Sequence, residues 1–177
     1  MPPVELLNAL FDEAFTIFLA RENGNIRADI SERNLCGRLM LYLDNARARY
    51  GLGDYFTDTE YNRNLGDLKR IRRNPVDPAD IITCDLILHS RGTRDPDNLI
   101  AIEMKKKNHP KKHKDEDRVR LKALTRTRSQ ARRISNTRDH VYGYQLGLFV
   151  ELDTKRPGYL IEFYLQGKKV NEVRREC

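Results

Sequence analysis

The sequence predicts an α/β fold: a mixed β-sheet flanked by helices, in one domain spanning residues 1–177. Three observations lead there. Apolar residues recur at helical spacing in two segments near the start of the chain. From residue 55 the pattern changes to β-branched and aromatic runs separated by turn residues. A single, strongly basic helical stretch then interrupts those runs. The expected order is α-α-β-β-β-α-β-β, which suits a mixed sheet of α/β or α+β type. Within it lies a core order α-β-β-β-α-β over about residues 30–151, with an extra N-terminal helix and a C-terminal strand.

The first helix, 4–21, places Leu7, Leu10, Phe11, Ala14, Phe15, Phe18 and Leu19 on one side, and Asn23-Gly24-Asn25 reads as its stop. Ser31 is a suitable N-cap for a second helix, which presents Leu35, Leu39, Tyr42, Leu43, Ala46 and Tyr50 and ends at Gly51 and Gly53. Tyr55 to Asn62 suits a strand, and residues 65–73 suit a short basic helix before Asn74-Pro75-Val76-Asp77-Pro78 breaks the chain. Ile81 to His89 is apolar enough for a strand buried on both faces. A turn at residues 92–97 leads into a strand from Leu99 to Lys105, and the short link predicts an antiparallel hairpin. A basic helix runs from Asp115 to about Ile134. Strands follow at Val141–Leu152 and at 159–165, separated by Lys155-Arg156-Pro157-Gly158.

Thirty-three Lys and Arg stand against 26 Asp and Glu, a net charge of +7. The excess is local. Residues 104–138 hold 14 Lys/Arg and 3 Asp/Glu, while the rest of the chain holds 19 against 23. A concentrated basic stripe suits phosphate binding, since each neutralised phosphate releases counterions; a solvated helix face or contact with acidic lipid are the alternatives. No segment approaches the roughly 18 apolar residues of a membrane span. The N-terminus lacks the pattern of a signal peptide. Cys36, Cys84 and Cys177 are too few and too scattered for a disulfide framework or zinc knuckle. A cytoplasmic protein is the expectation.

The chemistry gathers on two neighbouring strands. Residues two apart share a strand face, so Glu103 and Lys105 project together. Asp85 sits inside the apolar run Ile-Ile-Thr-Cys-Asp-Leu-Ile-Leu, where a carboxylate is costly unless compensated. If the hairpin register sets Asp85 beside Glu103, two carboxylates and an ammonium converge. Carboxylates about 4 Å apart repel by roughly 4 kcal/mol at an effective dielectric near 20. A hard divalent cation removes that repulsion, and Mg²⁺ characteristically takes one or two carboxylates and completes its shell with water and phosphate oxygens. Lys105 would then orient or activate an attacking water or stabilise the phosphorane; the residues do not separate these roles. The plain alternative is ion pairing, Glu103 with Lys105 and Asp85 with another cation.

Asp85 followed by Ile100-Ala101-Ile102-Glu103-Met104-Lys105 resembles the signature of the PD-(D/E)XK nuclease superfamily, of restriction-endonuclease-like fold. Glu60-Tyr61-Asn62-Arg63 and Asp85 to Gly92 are also similar to divergent bacterial members. The resemblance implies an Mg²⁺-dependent phosphodiesterase, with Mn²⁺ able to substitute, acting on nucleic acid and chiefly DNA. By that likeness Asp85, Glu103 and the backbone carbonyl of Met104 bind metal and Lys105 is the catalytic lysine. Glu32, on the apolar stripe of the second helix, matches a site glutamate found in many members; its other reading is favourable charge in a helix first turn. Glu60 is either a supporting acid or a partner of Arg63. Cys84 stands where the family name expects proline, which is not a ligand.

Lys106, Lys107, Lys122, Arg126 and Arg133 are the candidate phosphate contacts. His109 and His113 could share a helix face, but Pro110 intervenes and nothing completes a zinc set. Tyr142, Tyr144, Leu146, Leu148 and Val150 read as one face of a strand, with Gln145 on the other, solvated or near the site. No phosphate-binding glycine loop is present. Two functions compete with a metal-dependent nuclease: an inert nucleic-acid-binding module of the same fold, and a basic surface for a protein or acidic lipid. Enzymes of this fold often pair to cut both strands, which makes a homodimer an option.

Overall fold

A computed structural model of the chain describes residues 2–61, 63–64, 67–68, 70–71, 80–81, 83–134, 141–156 and 158–176. It is a mixed α/β structure built on a six-stranded, mostly antiparallel sheet. The strands are β1 (Phe56–Thr59), β2 (Leu86–His89), β3 (Asn98–Lys106), β4 (Leu146–Asp153), β5 (Gly158–Leu165) and β6 (Lys168–Glu176), lying in that order. Only β3 and β4 run parallel. Their crossover is α3 (Lys111–Leu124), followed by the short α4 (Arg128–Arg132). Among the described residues no helix is long and apolar enough to cross a membrane.

Two layers of helix enclose the sheet. On one face α1 (Val4–Arg27) and α2 (Glu32–Arg47) bury Leu7, Leu10, Phe11, Leu35, Leu39 and Leu43 against Leu86, Leu88, Ile100, Ile102, Leu148 and Val150. On the other, α3 lays Leu121 and Leu124 on Ile87, Ala101 and Phe149. From Ile100 onward, past an irregularity in the pairing with β2, alternation along β3 assigns even-numbered residues to the first face and odd-numbered ones to the second. Glu103 and Lys105 therefore emerge on the α3 side.

Helix α1 passes through Asn23-Gly24-Asn25 and ends at Arg27, six residues beyond the expected stop. Tertiary contacts override the local signal: Glu22 is buried where it accepts from Asn25, Arg38 and Tyr42, and Ile26 joins the core. Ser31 caps α2 as expected, its hydroxyl accepting from Asn34 N. The basic helix is two helices. It starts earlier, at Lys111, and breaks at Thr125, whose hydroxyl donates back to the Leu121 carbonyl. Thr127 and Gln130 then form a reciprocal capping box that opens α4.

The expected strand Ile81–His89 is interrupted. Asp80–Ile81 pairs with Arg70–Ile71 in a separate two-stranded ladder, and β2 begins only at Leu86. Of the basic helix expected over 65–73, the described residues are extended: Asp67–Leu68 pairs with Arg63–Asn64, and Arg70–Ile71 is the strand just named; the rest of that segment lies outside the described residues. The strand expected from Val141 starts at Leu146, so Tyr142 and Tyr144 belong to the connection, although Tyr144 is buried in the α3-side core. Strand β6 had no counterpart in the sequence reading. It follows a two-residue turn, Gln166-Gly167, with both residues at positive φ, the geometry that tight antiparallel hairpins prefer.

Gly147 fixes how closely α3 approaches the sheet. A Cβ there would stand 2.8 Å from Thr125 Cγ2 and 3.1 Å from Tyr164 Cβ. Helix and strand meet at a spacing only a glycine permits without a shift.

Candidate active site

Strands β2 and β3 pair antiparallel with Leu86 opposite Ile102 and Ile87 opposite Ala101. The hairpin expected from the sequence thus forms; Asp85 lies at the bend just before β2, near enough for its charge to raise the pKa of Glu103. Cys84 anchors the entry to β2: its buried thiol donates to the Ile102 carbonyl at 3.2 Å. Asp85 is held by its own backbone environment, its Oδ2 accepting from Met104 N at 2.9 Å.

Lys105 is the hub. Its Nζ lies 3.5 Å from Asp85 Oδ2, 3.6 Å from Glu32 Oε2 and 3.1 Å from Asp117 Oδ2, and it donates to the Met104 carbonyl at 3.0 Å. The approach to Asp117 is a charge contact without hydrogen-bond alignment. These carboxylates outweigh the desolvation of the ammonium and push its pKa above the ordinary lysine range. The Met104 carbonyl thus lies within the cluster, engaged by Lys105.

Glu32, on the first turn of α2, reaches across to the end of β3. Its Oε1 accepts from Lys106 N at 2.8 Å and faces His109 Nδ1 at 3.2 Å. Glu60 sits on the rim. It pairs with Arg33, at 2.7 Å; the side chain of Arg63, named as one alternative partner, lies outside the described residues. Together Ser31, Glu32, Arg33, Cys36, Thr59, Glu60 and Asp85 line a cleft of about 350 Å³ that opens onto the carboxylates.

Glu103 is fully buried. One oxygen accepts from Arg120 Nε at 2.6 Å; the other, Oε2, has no hydrogen-bond partner among the described residues. Burial, and then the charge of Asp85, drive its pKa well above the usual carboxylate value against the opposing pull of Arg120. Asp117 is raised too, chiefly by burial. Arg120 bridges the two, touching Glu103 and Asp117. Neither α3 residue was foreseen. The available signal was an Asp-x-x-Arg spacing, which puts both side chains on one helix face, in a segment whose few acids stood out against 14 basic residues.

No family profile, curated protein or solved structure matches the chain.

Four carboxylates, from Asp85, Glu103, Glu32 and Asp117, thus face two cations, Lys105 and Arg120. Among the described residues, no three Asp, Glu, His or Cys side chains form a ready-made metal cage. The excess negative charge and the unpartnered Glu103 Oε2 nonetheless fit Mg²⁺ or Mn²⁺, since such ions need only one or two carboxylates and take other oxygens from water and phosphate.

The basic stripe divides into two populations. Lys106 is nearly buried and bonded to Asp29, so it is not free to meet a phosphate. Lys107 pairs with Asp153 at 2.7 Å, Lys114 with Glu151 at 2.8 Å, and Arg118 with Glu162 at 2.9 Å. Much of the positive charge therefore neutralises the chain's own acids. Lys122 and Arg133 are exposed. The Lys122 carbonyl and the Arg126 stem flank the Gly167 turn, over β5 and β6 and away from Asp85. His113 is exposed and shares no ligand set with His109. Gln145 is not solvated at its amide: both amide atoms are buried, with no hydrogen-bond partner among the described residues.

Proposed function

We propose that the chain is a metal-dependent nuclease of restriction-endonuclease-like fold that hydrolyses phosphodiester bonds, with DNA as the expected substrate. The observation that carries this reading is the fully buried Glu103 with one oxygen unpartnered, set beside Asp85 and followed by Lys105 on the same strand face. A carboxylate kept in so costly a place is worth its cost where charge must be concentrated. The strand arrangement, antiparallel β1-β2-β3 with a helical crossover to a parallel β4, supports the fold likeness.

Asp85 and Glu103 would hold Mg²⁺, with the Met104 carbonyl alongside. Bound there, the cation would lower the pKa of a ligated water and offset charge building on the phosphate. Lys105 places its ammonium among these groups, where it can orient the attacking water and donate to a non-bridging phosphate oxygen. In the metal-free chain its carboxylate neighbours favour the protonated form, in which it acts as a charge and a donor. Glu32 secures the strand end by bonding Lys106 N and limits the freedom of Lys105. Exposed cations such as Lys122 and Arg133 would contact phosphates away from the scissile bond.

The test incubates the purified chain with duplex, single-stranded and branched DNA and with RNA, each with Mg²⁺, Mn²⁺ or EDTA. Metal-dependent cutting that disappears in Glu103→Ala is the expected result; no cutting anywhere in the panel overturns the reading. One observation favours a second reading, an inert nucleic-acid-binding module: Arg120 already neutralises one Glu103 oxygen. That reading predicts salt-dependent binding with no cleavage and no metal-dependent thermal shift.

A further inference from the structure

Asp117 and Arg120 lie on α3, outside the strand pair that carries the proposed chemistry. Both face the sheet, three residues apart, above Glu103 and Lys105. Asp117 is only 3% exposed. A carboxylate and a guanidinium in such a place need a reason, since an apolar pair of similar volume would cost the core less. Their contacts supply it. Asp117 touches Lys105 Nζ on one side and Arg120 on the other, and Arg120 continues to Glu103 Oε1. The four groups form a closed chain, Lys105–Asp117–Arg120–Glu103, that ties both ends of the Glu-x-Lys couple to one rigid helix.

We propose that Asp117 and Arg120 are positioning residues: Asp117 fixes the Lys105 ammonium among its carboxylate neighbours, and Arg120 fixes the Glu103 carboxylate in one orientation. The chemistry served rests on the nuclease reading above, whereas the clamp itself rests on this geometry. A lysine side chain has four rotatable bonds that must be held for its ammonium to keep one position. The carboxylates of Asp85 and Glu32 lie at 3.5 and 3.6 Å, against 3.1 Å for Asp117. Asp117 is thus the nearest anchor. It is also more deeply buried than the other two, which leaves its charge least screened by water. Arg120 does the corresponding work for Glu103: a fork held at its far end by Asp117 cannot swing away, so the carboxylate keeps one orientation.

The test uses the full chain with ¹⁵N-labelled lysine and follows the Lys105 ammonium resonance, assigned by its absence in Lys105→Arg. The wild type should give a slowly exchanging signal, since the group is caged. Asp117→Asn should broaden or abolish it, and Asp117→Glu should retain it. In the cleavage assay Asp117→Asn should lower kcat by about 100-fold, the scale expected of a displaced catalytic group, with KM for nucleic acid within about twofold and partial recovery in Asp117→Glu. Arg120→Lys carries the same two readouts should Asp117→Asn fail to fold. An unchanged Lys105 signal in Asp117→Asn, or a kcat within about threefold of wild type, overturns the clamp. A signal that behaves as described in a wild type that cuts nothing supports the clamp and overturns the nuclease reading.

Discussion

The two faces of the sheet are built on different principles. Under α1 and α2 the contact is almost wholly apolar, with Leu7, Leu10, Phe11, Phe18, Leu35, Leu39 and Leu43 all at 0% exposure. Under α3 the apolar patch is smaller, and beside it Glu103, Asp117, Lys105 and Arg120 are packed into the same layer. The first face converts buried area into stability at roughly 25 cal/mol per Å². The second spends stability, because each ion loses hydration and Glu103 regains only part of it through Arg120. One layer holds the chain together while the other holds charge in a fixed geometry.

The largest expected effect lies on the charged face. Glu103→Ala or Lys105→Ala should reduce metal-dependent cleavage by about 10²–10³-fold, the range found on removing one group that stabilises transition-state charge, while nucleic-acid binding persists in a filter or polarisation assay. The converse belongs to the apolar face. Leu10→Ala should lower unfolding free energy by about 2–5 kcal/mol in urea titration and leave kcat unchanged below the transition; a kcat change there would blur the contrast.

A smaller effect sharpens it through pH. The Glu103 carboxyl is raised above 4.5 by burial and by Asp85. A group whose folded pKa is raised contributes stability that is fully present below 4.5 and is lost as pH rises through the folded value. Metal-free protein therefore carries more of this strain the higher the pH. Glu103→Gln should raise its Tm at pH 8 by about 2–4 °C, the shift of roughly 1 kcal/mol in a chain of this size, and the gain should shrink as pH falls toward 5. Mg²⁺ should raise the wild-type Tm at pH 8 and not that of the variant. Acidification below the usual carboxylate range brings a separate loss at Asp58 and Glu162, whose paired carboxylates titrate below their ordinary values.

The smallest effect separates the two kinds of surface cation. Lys122→Ala should reduce the slope of log K against log salt by about one on nucleic acid, with stability within about 0.5 kcal/mol of wild type. Arg118→Ala should instead lower stability, because Arg118 serves Glu162 and Asp115.

The pattern of residues made the strand pair legible. Asp85 in an apolar run, a turn and then Glu103-x-Lys105 pointed to an antiparallel hairpin, and Leu86–His89 pairs with β3 in that sense. Glu32 was legible as an acid on an apolar helical stripe, and the structure brings it to Lys105. Asp117 and Arg120 were hidden by their neighbours, since a count of basic residues does not say which of them turn inward. Lys106 misled for the same reason: its letter matches its neighbours in a Lys-rich run, but alternation along β3 sends it to Asp29. Strand β6 escaped because Lys168–Glu176 has little hydrophobic alternation; backbone pairing with β5 and the Gln166-Gly167 turn define it. The extension of α1 past Gly24 depends on Glu22 meeting Arg38 and Tyr42 from α2, a contact that no local window contains.

Gly147 lies under Leu121 and Thr125, at the C-terminal end of α3, and it determines where that helix rests. A single methyl group introduced there would act as a wedge beneath the helix that carries Asp117 and Arg120. The alignment of Lys105 and Glu103 is therefore mortgaged to the smallest side chain in the sheet, and a swap of one hydrogen for carbon could detune the centre while every charged group remained in the chain.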